Sequence, residues 1–236
     1  MQLPSLSPAR LGALLDQHAP MRSVPLVPDL SAWYADDELP LWGSLEAELG
    51  HPVAAPFFCV PWPGAQALAL YVRQQNIALA GRRVLDLGSG SGVASVACAL
   101  RGAEVVACDI DPLACVATTI LARRHGATPR VHAFCGDVLR TPAVGARFDV
   151  VLAGDLVYSR DRGEQLAVAI SQWLKTGTIV VVADSGRPFF SPGPLPCVLE
   201  ADVDVPASVE GASTRRVRVY AGRAEGGTDA AVASVR

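Results

Sequence analysis

The chain has 236 residues, a formal net charge of −3 and a hydrophobic content of 50%, so it is long enough to bury one large core. It contains no run of about 18 uninterrupted apolar residues, which argues against a membrane-spanning helix. It also lacks a run of Lys or Arg, which disfavours nucleic acid as the main partner.

The N-terminus and the cysteines bear on the compartment. The first twenty residues lack the basic segment, apolar stretch and cleavage site of a secretory signal peptide. The six cysteines form no CxxC pair, so we expect six small buried side chains rather than a disulfide framework or a zinc site. The histidines lie apart from the carboxylates and from one another, and we expect no metal site: His18, His51, His125 and His132. A mitochondrial presequence is harder to exclude, but one Arg in the first twenty residues and the early Asp16 make a poor one. We therefore expect a cytoplasmic protein.

The first elements carry helical signals punctuated by prolines. Ser7 as N-cap and Pro8 at the first helical position predict a helix whose leucines share one face. A second helix or a partly ordered lid is expected over residues 36–49, and another helix begins at Pro63. We therefore expect residues 1–60 to form a helical extension or lid.

From residue 83 onward, short β-branched runs alternate with Ala- and Leu-rich segments of helical length. The predicted parallel strands are residues 83–87, 104–109, 129–134, 148–153 and 178–184. Two more strand-like runs, 197–205 and 215–222, have no helix between them and predict an antiparallel hairpin. The pattern predicts an α/β fold: a three-layer, Rossmann-like sheet of seven mostly parallel strands with helices on both faces. Residues 61–222 would form this domain, followed by a disordered tail over 223–236.

The most specific motif is VLDLGSGSGVAS, residues 84–95, where a strand runs into three alternating glycines and then a helix. Such glycines let a ligand lie against bare amides at the positive end of the helix. A dinucleotide fingerprint requires G-x-G-x-x-G/A, but the third position falls on Val93 or Ser95, depending on the register. This mismatch disfavours NAD, FAD and a Rossmann oxidoreductase. The pattern present is D-x-G-x-G-x-G, beginning at Asp86.

This pattern resembles that of the class I, or seven-strand, S-adenosylmethionine-dependent methyltransferases. In that family the acidic residue and the glycine loop hold the amino-acid end and the sugar of the cofactor. A carboxylate suits a ligand with a sulfonium and an α-ammonium group better than it suits a pyrophosphate. The resemblance implies S-adenosyl-L-methionine as cofactor, held by Asp86, Gly88, Ser89, Gly90 and Gly92.

The resemblance implies further cofactor contacts at the next two strand ends. Asp109 ends the second strand, where a carboxylate can accept both ribose hydroxyls, and Ile110 follows it. By itself Asp109 would serve NAD equally well. The segment FCGDVL resembles the family's adenine-edge segment, with Cys135 near the ring and Asp137 accepting from the adenine amino group. For Asp137, a solvated turn aspartate remains the alternative.

The fourth strand ends in AGDLVY, residues 153–158, at the sheet edge where open α/β folds bind ligands. It lacks the prolines of the N/D-P-P-Y/F segment in class I enzymes that act on exocyclic amines of nucleic acids. The D-x-x-Y pattern instead resembles the seven-strand protein lysine methyltransferases of the D/E-x-x-Y/F group. We expect Gly154 to lie near the cofactor, and Asp155 and Tyr158 to face the acceptor as the catalytic pair.

The upstream segment VPWPGAQALALY, residues 60–71, supports the same group. It most closely resembles the branch that methylates the β-subunit of electron-transfer flavoprotein, in which this tryptophan lines the cofactor pocket, and so implicates Trp62. The resemblance implies a protein-lysine N-methyltransferase acting on that subunit or a similar protein. Asp155 would accept a hydrogen bond from the incoming amine, and Tyr158 would pack on the methylene stem or bond the nitrogen.

Two other functions remain open at this point. A methyltransferase acting on a metabolite amine or hydroxyl would share the features up to residue 150 and differ in what covers the pocket. A cofactor-binding protein without catalysis is disfavoured, because the glycine loop, Asp109 and the D-x-x-Y pair are all intact.

Overall fold

The structure is a computed structural model that describes residues 6–74, 77–206 and 211–223. In chain order its helices and strands are α1 (Pro8–His18), β1 (Met21–Val24), β2 (Val27–Trp33), α2 (Leu39–Leu49), α3 (Pro63–Arg73), β3 (Arg83–Leu87), α4 (Val93–Leu100), β4 (Glu104–Asp109), α5 (Pro112–Arg124), β5 (Val131–Cys135), β6 (Val150–Gly154), α6 (Arg160–Lys175), β7 (Ile179–Asp184), β8 (Cys197–Asp204) and β9 (Thr214–Gly222). Short 3-10 turns connect several of them.

A seven-stranded sheet with the order β5-β4-β3-β6-β7-β9-β8 forms the centre of the fold. The first five strands in this order are parallel, and β9 is antiparallel to both β7 and β8. Every residue of β7 is buried, as expected for a strand whose two faces are both covered. The predicted fold class is confirmed, including the antiparallel pair at the C-terminal end.

The strand order reverses between β3 and β6. The chain moves outward from β3 to β4 and β5, then returns to place β6 on the other side of β3. In the pairing of these two strands, Leu87 lies opposite Ala153. The glycine loop after β3 and the AGDLVY segment at the end of β6 therefore meet at one crevice, the usual ligand site of such sheets.

The N-terminal part contains a β-hairpin that the sequence did not lead us to expect. Strands β1 and β2 pair antiparallel, with Met21 opposite Trp33, whereas only helices were predicted in the first 60 residues. Pro25 in the turn and Pro28 within β2 mask the strand pattern, because proline lacks the N–H that a strand interior normally needs. Pro28 is exposed on a two-stranded sheet, where that loss is tolerated.

The N-terminal elements contribute to the same hydrophobic core as the helices that cover the main sheet. Leu15 of α1 and Trp33 of β2 belong to one cluster with Leu121 of α5. The Asp16 carboxylate adds a polar link, because it accepts two hydrogen bonds from the Arg124 guanidinium, at 2.8 and 2.7 Å. The domain boundary at residue 60 stays a prediction. Because the N-terminal elements and the sheet domain share one core, we expect them to unfold together.

The predicted helix starts at Pro8 and Pro63 are confirmed, whereas the helix expected from residue 36 begins at Leu39. Ser7 caps α1 by accepting from the Arg10 amide, and Pro63 begins α3. The prediction that all six cysteines are buried is wrong for Cys135 and Cys197, because they lie on the edge strands β5 and β8. The predicted tail lies outside the described residues, apart from Arg223.

Two kinds of feature are absent from the described ranges. No helix there has the length and apolar character needed to cross a bilayer. No group of three or more His, Cys, Asp or Glu side chains in those ranges is arranged to hold a metal ion.

We expect Leu15→Ala to lower the free energy of unfolding by about 2–5 kcal/mol, because it removes most of a fully buried side chain and leaves a cavity in its place. Urea denaturation followed by fluorescence and far-ultraviolet circular dichroism would measure this loss in a single transition. Leu39→Ala on α2 is the control, because Leu39 is 61% exposed and its loss should cost no more than about 0.5 kcal/mol. A separate early transition, with the main one unchanged, would contradict a shared core.

Candidate active site

A cavity of about 460 Å³ opens at the sheet edge where the strand order reverses. Its walls come from the ends of β3, β4 and β6, the loop after β5 and the segment before α3. Among the site residues predicted from the sequence, those lining the cavity are Trp62, Gly88, Gly90, Asp109, Ile110, Asp137, Gly154, Asp155 and Tyr158. The lining does not include Asp86, Ser89, Gly92 or Cys135.

The glycine loop exposes its backbone to the cavity. Gly88 and Gly90 have φ angles of 69° and 47°, a left-handed conformation that disfavours side chains. A Cβ atom at Gly88 would lie 2.6 Å from Leu156 Cδ1. The hydroxyls of Ser89 and Ser91 are buried and lack a hydrogen-bond partner among the described residues. Buried polar atoms normally have partners, so this loop fits a polar ligand.

Asp86 supports the loop from behind the cavity wall. Its carboxylate is buried and accepts a hydrogen bond of 2.6 Å from the Ser95 hydroxyl, which ties β3 to the first turns of α4. Burial raises the pKa of Asp86 to about 6. A direct contact between Asp86 and the cofactor remains a prediction, since its side chain bonds the scaffold.

Asp109 connects the loop with the next strand. Its Oδ2 atom accepts from the Gly90 amide at 2.9 Å, and its Oδ1 atom accepts from the Asp111 amide at 3.0 Å. Each carboxylate has about four acceptor sites, so both oxygens can still accept from a ligand. The neighbouring residue Ile110 is 54% exposed and adds an apolar side chain to the cavity rim.

Asp137 is an ion-pair partner rather than a solvated turn residue. It accepts from Arg162 Nη1 at 2.8 Å and lies 3.4 Å from Arg140 Nε. The hydrogen bond from Arg162 holds the pKa of Asp137 below its usual range. No sequence pattern indicated this pair, because Arg162 belongs to α6, a separate element that also lines the cavity. Cys135 does not line the cavity, and its thiol donates to the Ile110 carbonyl at 3.7 Å.

Asp155 has the most constrained position in the site. Among the described residues it is the one non-glycine residue with a positive φ, of 47°. Its side chain is 5% exposed. One oxygen accepts from the Gly64 amide at 2.7 Å, and the other accepts from the Ser185 amide and hydroxyl at 2.9 and 2.7 Å. The carboxylate therefore joins the end of β6 to the first turn of α3 and the segment after β7.

The segment before α3 covers the cavity with aromatic side chains. The Trp62 indole donates to the Phe57 carbonyl at 2.8 Å, and the two rings meet edge to face with centroids 5.7 Å apart. The Arg187 guanidinium lies 5.7 Å from the centre of the Trp62 ring. Tyr158 stands at the mouth and is 62% exposed. The sequence pointed to Trp62 and Tyr158 but not to Phe57 or Arg187.

Comparison with known proteins identifies the family. A family model described as a methyltransferase domain matches residues 84–177, which include the glycine loop and AGDLVY. The chain is 31% identical over 185 residues to the electron transfer flavoprotein beta subunit lysine methyltransferase of Xenopus laevis, covering 76% of this chain and 72% of that protein. This chain belongs to the electron transfer flavoprotein beta subunit lysine methyltransferase family.

A further curated relative agrees with this assignment, and a solved structure shares the fold. The family member from Mus musculus is 35% identical over 142 residues, covering 59% of this chain and 54% of that protein. The chain thus spans about half the length of the first curated family members that it matches. An RNA methyltransferase from Salinibacter ruber, solved with S-adenosyl-L-homocysteine, shares the fold with a TM-score of 0.50 and 22% identity, covering 72% of this chain and 98% of that one.

We expect Asp155→Ala to lower the free energy of unfolding by about 2–4 kcal/mol, because it leaves buried amides of two other segments without their acceptor. Chemical denaturation of the purified protein would measure the loss. Glu164→Ala is the control, because Glu164 is exposed on α6 and its loss should change stability by less than about 0.5 kcal/mol. If Asp155→Ala matched the wild type in stability, the carboxylate would have no structural role.

Proposed function

We propose that the protein is an S-adenosylmethionine-dependent protein-lysine N-methyltransferase acting on the β-subunit of electron-transfer flavoprotein or a similar protein. The observation that carries this proposal is the juxtaposition of a bare glycine loop and Asp109 with Asp155 and Tyr158 in one cavity. Membership of the family and the names of its curated members support the substrate class.

The cofactor would be held by the loop and strand ends on one side of the cavity. The residues suited to it are Gly88, Gly90 and Asp109, with Trp62 and Gly154 across the cavity. The hydroxyls of Ser89 and Ser91 add buried polar atoms that lack partners in the described part of the chain. Bound S-adenosyl-L-methionine would supply a methyl group activated by a sulfonium. The protein's own task would be to position an amine and expel water.

The acceptor amine has to be neutral to attack, although free lysine has a pKa of about 10.4. Phe57, Trp62 and Tyr158 would shield it from water, and partial desolvation favours loss of its proton. Tyr158 would pack on the methylene stem. Three hydrogen bonds occupy Asp155, leaving about one of its four acceptor sites to orient the amine.

The mouth of the cavity supports a protein substrate over a metabolite. Three side chains at its rim are more than half exposed: Phe57, Ile110 and Tyr158. An apolar rim of this kind suits a lysine side chain that enters from a neighbouring protein surface. The net charge of −3 supports a partner other than nucleic acid. The cytoplasmic location remains a prediction.

The decisive experiment combines the protein with labelled S-adenosyl-L-methionine and either purified electron-transfer flavoprotein or a whole-cell lysate. We expect label in the β-subunit, at a lysine identified by mass spectrometry. Tyr158→Ala should reduce transfer at least tenfold, about 1.4 kcal/mol, while Tyr158→Phe keeps most of it if the ring packs on the methylene stem. Asp155→Ala should also reduce transfer at least tenfold. Label confined to the low-mass fraction would instead support a small-molecule methyltransferase.

The cofactor assignment has its own test by calorimetry. We expect Asp109→Ala to weaken binding of S-adenosyl-L-homocysteine at least tenfold, since the change removes a carboxylate that lines the cavity and anchors the Gly90 amide. Asp202→Ala on the distant strand β8 serves as the control and should bind like the wild type. Binding of NADH in place of S-adenosyl-L-homocysteine would contradict the assignment.

A further inference from the structure

Arg187 lies at the acceptor end of the cavity, although no motif in the sequence points to it. Its Nε atom is 3.8 Å from Asp155 Oδ1, and its side chain is 29% exposed. Its guanidinium also lies over the Trp62 ring. Arg187 thus contacts both the residue that would orient the amine and the aromatic cover of the cavity.

The turn that carries Arg187 is held by a buried carboxylate. Asp184, the last residue of β7, accepts from the Gly186 amide at 2.7 Å and from the Arg187 amide at 2.8 Å through its Oδ1 atom. Its Oδ2 atom is buried without a hydrogen-bond partner among the described residues. The backbone at Arg187 is therefore fixed beside Asp155, which is bonded to the intervening Ser185.

We propose that Arg187 is a charge-balancing and positioning residue for the acceptor amine, holding the Asp155 carboxylate and offsetting its charge so that lysine is presented in the neutral form. This inference rests on the proposed methyl transfer to lysine. It assigns to Arg187 a role that the D-x-x-Y pattern alone leaves unfilled.

The physical reason is a conflict in the acceptor site. A carboxylate beside an amine favours the ammonium form, which has no lone pair for attack. A guanidinium next to that carboxylate opposes this effect and also repels an ammonium group directly. Arginine suits the task because it stays charged at any working pH and can stack on an aromatic ring. Asp155 can then orient the amine without holding its proton.

Other charged groups at this end of the cavity also contribute to the electrostatic potential at the acceptor amine. Asp155 approaches from the end of β6 and Asp184 from the end of β7, while Arg162 on α6 is paired with Asp137 after β5. The Tyr158 phenol lies near Arg162. Burial raises the pKa of Asp184 to about 6, so Asp184 itself titrates within the range of a pH profile and requires its own control variant.

The test is the dependence of kcat on pH at saturating cofactor and protein substrate, because kcat reports ionisations in the bound complex. In Arg187→Gln, we expect the acid limb of the profile to move upward by about one pH unit, a typical effect of one neighbouring charge. Arg187→Lys should keep the limb near the wild-type position. Arg187→Met, which keeps an apolar stem over Trp62, replaces the Gln variant if that variant does not fold.

A second arm changes the acceptor instead of the enzyme. The target lysine is replaced by cysteine and alkylated to aminoethylcysteine, whose amine is less basic than that of lysine. At a pH below the acid limb for lysine but above that for aminoethylcysteine, we expect Arg187→Gln to lose up to about tenfold in rate on lysine. On the aminoethylcysteine substrate, whose amine is already neutral at that pH, the loss should be clearly smaller. A purely structural role for Arg187 would lower both rates by the same factor.

The outcomes separate this inference from the proposed function. If the wild type transfers no methyl group to lysine, the proposed function fails first. If the wild type is active but the profile of Arg187→Gln is only scaled down, with its acid limb unmoved, the role of Arg187 is wrong. An acid limb that disappears in Asp184→Asn would belong to Asp184 and would also overturn the inference.

Discussion

The Asp155 carboxylate holds together three segments at one side of the cavity, the side proposed above to receive the acceptor. It accepts hydrogen bonds from the Gly64 amide in the first turn of α3 and from the Ser185 amide after β7. Asp155 itself directly follows β6 and has a left-handed backbone conformation. A helix N-terminus has unpaired N–H groups and favours a nearby anion, so a carboxylate is suited to this junction. Gly64 is needed there, because a Cβ atom on it would lie 2.7 Å from the Asp155 nitrogen. The W-P-G and D-x-x-Y segments are thus two halves of one structural unit.

This junction also explains why a site for two reactants forms at one edge. The sheet order places the end of β3 beside the end of β6, so the glycine loop and Asp155 share a crevice. The cofactor side consists mainly of backbone, with positive φ angles at the loop glycines and an aspartate bonded to the loop. The proposed acceptor side consists of side chains from several elements, including Phe57, Asp155 and Tyr158. The two sides thus differ in what they present to a ligand, backbone on one and side chains on the other.

The parts predicted from the sequence are those encoded locally. Alternating strand and helix segments predicted the parallel sheet, and Ser7 and Pro63 predicted helix starts that the structure contains. The hairpin over residues 21–33 was missed because its prolines mask the strand pattern. The ion pair between Asp137 and Arg162, and the contact of Arg187 with Asp155, depend on residues far apart in the chain. The Ser185 amide that binds Asp155 is a backbone group, which by itself leaves no mark on residue type.

Two buried acids show that this arrangement costs stability. Asp86 stands behind the glycine loop and Asp184 behind the acceptor end, and burial raises the pKa of each to about 6. An aspartate in the unfolded chain has a pKa of about 3.9, so the folded state binds the extra proton between these values and loses stability as pH rises through that window. At neutral pH both acids are ionised at the expense of folding free energy. Asp86 partly offsets this cost through Ser95, and Asp184 through the amides of the turn that fixes Arg187. The chain thus keeps a buried acid behind each end of the cavity, where a sulfonium and an amine would be brought together.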